Sequence, residues 1–219
     1  MMFLALAPPL AAQTPKPAVQ PVRFSVFSAQ TIAGLGFAPQ QGSGLTKLAF
    51  FPTARSPGYE YRGALPLRFV DVASGTVVAE AGVPAEIHDA LLLFAPLDGP
   101  AAGALKYRVA VLDEGAASHA AGGLVVINLS GLALSGTIGG RAVTLDEGLN
   151  APRQVGRATK ILLKTTVKGR SFQSYGEDVK MKATERALLI LFPPFNPGSV
   201  EVPSRLLIDA PPAAAPPRR

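Results

Sequence analysis

The chain of 219 residues contains no cysteine, which excludes disulfides, zinc–thiolate sites, iron–sulfur clusters and thiol nucleophiles. It has no tryptophan and only two histidines, His88 and His119. Charged residues make up 16% and hydrophobic residues 48%, a balance that argues against a wholly disordered chain or a coiled coil. Helical pattern is also short, because 22 glycines and 21 prolines cut it into pieces. No stretch approaches the roughly 18 uninterrupted apolar residues of a membrane helix, so no transmembrane segment is expected.

The ends read differently from the body. Residues 1–12, MMFLALAPPLAA, form an apolar run closing on small residues, the pattern of the late part of a signal peptide. Cleavage after Ala12 leaves Gln13 first and a Pro-rich linker over 13–20, so the protein is expected to be exported to the periplasm or cell envelope. At the other end, residues 210–219 read APPAAAPPRR; without N–H donors the prolines cannot join a sheet, and an extended tail is expected.

Between the ends the chain reads as strands. Val22–Ser28, Leu45–Phe51, Ala90–Leu97 and Leu105–Leu112 are β-branched, aromatic or apolar runs, and Tyr59–Val72 has room for two short strands. Leu124–Leu129, Arg141–Leu145, Lys160–Val167 and Leu188–Phe192 continue the series. Gly139-Gly140 marks a two-residue hairpin turn, which needs positive φ at both centres.

An internal repeat organises these strands. ALLLFAPLDGP from Ala90 lies over ALLILFPPFNP from Ala187 without a gap, and Pro96, Pro100 and Arg108 meet Pro193, Pro197 and Arg205. Looser matches join Thr46 to Thr159 and Val22 to Leu124 in the same order. Collinearity favours duplication. Turn residues every 8–12 positions and a unit of about 95 residues fit an all-β fold of two tandem immunoglobulin-like β-sandwich domains from an internal duplication. The domains are expected over 21–113 and 122–209. The small, flexible composition of 114–121 reads as a linker. One elongated sandwich built from both halves is the alternative.

Catalytic patterns are sparse. His88 adjoins Asp89 at a strand entrance, but neighbouring strand side chains point to opposite faces and cannot share one ligand; a surface loop histidine is the simpler account. His119 falls in the linker, where nothing rigid would hold it. No G-x-S-x-G elbow, calcium loop or phosphate-cradle motif occurs. Neither an enzyme, a cofactor nor a metal site is expected. Tyr59 and Tyr61, with Phe172 and Tyr175 in the second half, could line a sugar site or pack the sandwich corners. In FPPFNPG, Phe195 could anchor a partner, although a rigid strand connection explains the prolines as well.

Charge is the one asymmetry. Between Arg153 and Arg186 nine basic residues face three acids. Strand alternation places Lys160, Lys164 and Lys168 on one face of KILLKTTVK, and Lys180, Lys182 and Arg186 on one face of VKMKATER. The two rows suggest a binding face for an anionic polysaccharide or lipid. They also suit a solubilising surface, or lysines that block edge pairing. Stacking aromatics are few, so nucleic acid is not expected as a partner. Together these features suggest a non-catalytic structural or interaction module of the envelope, held to an envelope protein or, alternatively, to an anionic glycan or lipid through these lysines.

Overall fold

The structure, a computed structural model, describes residues 19–97, 99 and 104–211. The expected leader at 1–12, most of the linker at 13–20 and most of the tail at 210–219 lie outside the described residues. The fold is all-β, with no helix among the described residues.

The first half supplies β1 (Val19–Phe27), β2 (Leu35–Phe37), β3 (Thr46–Lys47), β4 (Tyr59–Ala64), β5 (Leu67–Asp71), β6 (Val77–Ala81), β7 (Asp89–Pro96) and β8 (Tyr107–Asp113). The second supplies β9 (Gly123–Asn128), β10 (Leu134–Ile138), β11 (Arg141–Leu145), β12 (Gly148–Leu149), β13 (Arg153–Gln154), β14 (Ala158–Val167), β15 (Arg170–Lys180), β16 (Arg186–Leu191) and β17 (Ser204–Asp209). Gly139 and Gly140 join β10 to β11 with φ of 58° and 76°, as a two-residue turn requires.

Four sheets result. In the first half β4-β1-β7-β8 faces β3-β2-β5-β6; in the second β12-β9-β16-β17 faces β11-β10-β14-β15, and β13 adds to β9. Within the first and third sheets one pair is parallel: β1 with β7 and β9 with β16. Pro21, with no N–H to give, falls where β1 has only β4 beside it, since pairing with β7 starts at Arg23.

Each half encloses a core. The first is aromatic, with Phe24 edge-on to Phe37 and Phe69 edge-on to Phe94 at 5.0 Å between ring centroids. The second is aliphatic, built on Leu134, Ile161, Leu163 and Leu189. A third core joins the halves: Phe27, Leu91, Leu93 and Leu112 of the first sheet meet Val125, Ile127, Leu188, Ile190 and Leu207 of the third. The molecule is therefore four layers deep, which a single elongated sandwich of two sheets would not be. The third core also explains the sequence. The first and third sheets are covered on both faces, so β7, β9 and β16 read as nearly unbroken apolar runs instead of alternating ones.

The segment 114–121 departs from the expected flexible linker. Glu114 and His119 are buried. Asp113 accepts from the Gly115 N–H at 2.8 Å and from the Ser118 hydroxyl, and the His119 N–H closes onto the Gly115 carbonyl at 2.9 Å. Its small residues permit a tight turn against the protein, where their composition alone suggested free chain.

Candidate functional site

The long hairpin of β14 and β15 carries the basic row. Ile161, Leu163 and Thr165 point into the second core, and alternation sends Lys160, Leu162, Lys164 and Thr166 outward. Lys160 stands opposite Asp178 and Lys164 opposite Gln173, with a register shift between Leu163 and Lys164. Lys168 and Gly169 make the turn, both at positive φ (50° and 77°). Lys160, Lys164, Lys168 and Lys180 are exposed, and none is in an ion pair among the described residues.

The second row does not continue as expected. Strand β15 ends at Lys180, Met181 turns into the core, and 182–185 form a tight turn. The Lys182 N–H donates to the Glu185 carboxylate at 2.7 Å, and its ammonium lies 3.4 Å from the same group. These backbone and side-chain contacts hold the Glu185 carboxyl below its usual range. Past the turn the chain enters β16, and Arg186 is buried, its side chain 2% exposed. It is not part of a surface row. Strand parity was extended through a turn that resets it.

Arg186 instead centres a buried ion cluster that ties the halves together. Its Nη2 donates to Glu114 Oε2 at 2.5 Å and to Asp209 Oδ2 at 3.3 Å, and its Nε to Asp209 Oδ1 at 3.1 Å. Its Nη1 donates to the carbonyls of Glu114 at 2.7 Å and His119 at 3.1 Å. All five guanidinium hydrogens are thereby used. Arg55, from the first half, reaches Glu114 at 2.6 Å and also donates to Asp209. Two guanidiniums thus balance two carboxylates. Burial pulls the Arg55 guanidinium below its ordinary range, against the pull of Glu114 and Asp209.

His119 belongs to the same structural core. Its Nε2 lies 3.0 Å from the Ala187 carbonyl, so that nitrogen carries the hydrogen, and its Nδ1 is 3.6 Å from Glu114. His88 is exposed, and the neighbouring Asp89 is engaged by Arg23 at 2.5 Å. Among the described residues no three His, Asp or Glu side chains come together as a metal site would need. Three of the four aromatics weighed as a sugar platform are structural. Tyr61 donates to the Ala64 carbonyl, the Tyr59 hydroxyl accepts from the Ala49 N–H, and Tyr175 donates to Glu177. Burial and the Glu177 carboxylate push the Tyr175 phenol up; only Phe172 is exposed.

Sequence reasoning missed an apolar cleft of about 590 Å³ where the first and third sheets diverge. Leu93, Ala95 and Ala110 line one side; Leu129, Leu149 and Phe192 line the other. Two alanines in the first sheet leave its half of the gap unfilled. Pairing of the sheets could not be read from the chain, so these alanines carried no signal. No family model matches the chain, and no curated protein matches it in sequence.

Proposed function

We propose that this protein is an exported, non-catalytic interaction module of the bacterial cell envelope, made of two tandem immunoglobulin-like sandwiches that arose by duplication and act as one rigid body. One observation carries the tandem reading. If Ala90 is taken as equivalent to Ala187, as the sequence repeat suggests, the matching parallel pairs β1–β7 and β9–β16 carry Phe24 onto Leu124. On that register Leu91 corresponds to Leu188, Leu93 to Ile190, Leu112 to Leu207 and Phe27 to Ile127. All eight lie in the central core. Each unit therefore offers the same face to the other, as the two subunits of a C2 dimer do. Register also corrects the alignment: 19 positions separate Leu188 from its partner Leu207 where 21 separate Leu91 from Leu112, so Arg108 does not meet Arg205, and Phe24 rather than Val22 falls on Leu124.

The non-catalytic reading is supported by where the buried polar groups are spent. Glu114, Arg186, Arg55 and Asp209 are engaged with one another in ion pairs, and His119 Nε2 with the Ala187 carbonyl. Export rests on the apolar run at 1–12. Cross-linking in the intact envelope, from single reporter residues spread over the exposed surface, should give adducts confined to one face. Adducts spread evenly over the surface, or none, would refute the module. Fractionation with N-terminal sequencing should find Gln13 first in the envelope fraction, and a cytoplasmic chain with its leader intact would refute export.

A second reading, binding of an anionic glycan or lipid, is favoured by the exposed Lys160, Lys164, Lys168 and Lys180, which form no ion pair among the described residues. Retention on heparin that falls with salt and is lost when these four are replaced by alanine supports it; retention unchanged by the replacement overturns it.

A further inference from the structure

Four of the strands that border the central core end together. The C-terminal ends of β1, β7, β9 and β16 meet at the apolar cleft, whose walls include Phe27, Pro96, Leu129 and Phe192. The tip of the β14–β15 hairpin belongs to this end of the molecule. Thr165 donates to the Ala133 carbonyl, just after β9, and the Val202 N–H donates to the Ser174 carbonyl, just before β17. Large apolar side chains reach solvent at this end from two connections, at Leu129 and Phe195, the latter 88% exposed, and from strands, at Leu149 of β12, Val167 of β14 and Phe172 of β15. Lone exposed apolar residues need no explanation, but several at one end mark an interaction surface.

Charge at the same place narrows the partner. From Ala158 to Phe172 the hairpin carries Lys160, Lys164, Lys168 and Arg170 and no carboxylate. Lys168 follows Val167 in sequence, Arg170 stands opposite Val167 and two residues before Phe172, and Lys164 lies on the other face of the hairpin. A soluble polyanion would use the cations and leave the apolar side chains in water. An anionic bilayer uses both, since its headgroups attract cations and its interface receives aromatic and aliphatic tips.

We propose that this end of the molecule docks on an anionic lipid bilayer, with the hairpin tip and the Phe195 loop entering the headgroup layer and Lys164, Lys168 and Arg170 at its surface. The proposal rests on the anion-binding reading of the hairpin and names its partner.

The test is co-sedimentation of the mature chain with vesicles of equal parts phosphatidylglycerol and phosphatidylcholine, beside vesicles of phosphatidylcholine alone and a heparin column. Binding to the anionic vesicles, weakened by salt and absent on neutral ones, is expected. Each cation at the surface contributes about a factor of five in affinity, so Lys164→Gln/Lys168→Gln/Arg170→Gln should lower it on the order of a hundredfold. Val167→Ser/Phe172→Ser/Phe195→Ser should weaken vesicle binding and leave heparin retention unchanged. Because the chain has no tryptophan, Phe195→Trp supplies a single tryptophan whose emission, excited apart from the tyrosines, should shift to shorter wavelength on anionic vesicles. Heparin retention without vesicle binding would overturn the lipid proposal and leave the anion-binding reading standing. Binding to neither would overturn both. Vesicle binding unaffected by the serine variant, with no emission shift, would overturn entry of the apolar tips into the bilayer.

Discussion

Replacing Glu114 by glutamine should destabilise the whole molecule, because its carboxylate is paired with both buried guanidiniums. Arg186 and Glu114 have side chains 2% and 6% exposed, and Arg55 only 11%. With Glu114→Gln, two buried cations face the single carboxylate of Asp209, and shape is nearly unchanged. Breaking a buried pair by removing one partner costs about 3–5 kcal/mol. For a chain of this size, where 1 kcal/mol moves Tm by about 2–4 °C, that is a fall of roughly 6–20 °C. The assay is urea unfolding and thermal melting of the full chain beside Arg23→Gln. That control breaks the Arg23–Asp89 pair, where Arg23 is 53% exposed, and should cost about 0–1 kcal/mol. Equal losses from the two substitutions, or less than about 1 kcal/mol from Glu114→Gln, would refute a buried clamp between the halves.

Three other outcomes follow from local geometry. A Cβ on Gly136 would sit 2.0 Å from the Leu162 carbonyl oxygen, where β10 meets β14; Gly136→Ala should cost at least about 1–3 kcal/mol by urea unfolding, while Gly44→Ala, with open space around it, should be neutral or gain up to about 1 kcal/mol. The Tyr175 phenol is raised by burial and by Glu177, and Tyr61 is raised by burial. The fold therefore holds these protons more tightly than the unfolded chain, a contribution complete below about pH 10 and lost as pH rises beyond it. The urea midpoint should fall on that alkaline limb, less steeply in Tyr175→Phe. Ala110→Leu should partly fill the apolar cleft and leave Tm unchanged or raised by a few degrees; a clear loss would mean that the sheets close over this space.

The all-β class was legible because turn residues and short apolar runs recur along the whole chain. Gly139-Gly140 fixed one hairpin outright, and the alternation of KILLKTTVK gave the inward Ile161 and Leu163 correctly. What failed was whatever depended on a partner distant in sequence. ALLLFAP and RALLIL announced burial on both faces, but nothing in them says that the two sheets cover each other. Arg186 looked like the end of a basic row because parity was carried across residues 182–185, where Glu185 folds back on Lys182. Glu114 and His119 looked like linker because their neighbours are small, and small residues serve tight packed turns as well as free chain. Strands of two or three residues, such as β3, β12 and β13, follow their neighbours rather than any period of their own.

Hydrogen exchange of the full chain tests most directly whether the two units form one body through their shared face. Amides of β7 in the first sheet and of β9 and β16 in the third should exchange last and together, only through global unfolding. Their protection should fall in parallel in Glu114→Gln. If β7 instead exchanged by its own opening while β9 and β16 stayed protected, the two halves would be opening independently, and the packing of the first sheet on the third would be contradicted.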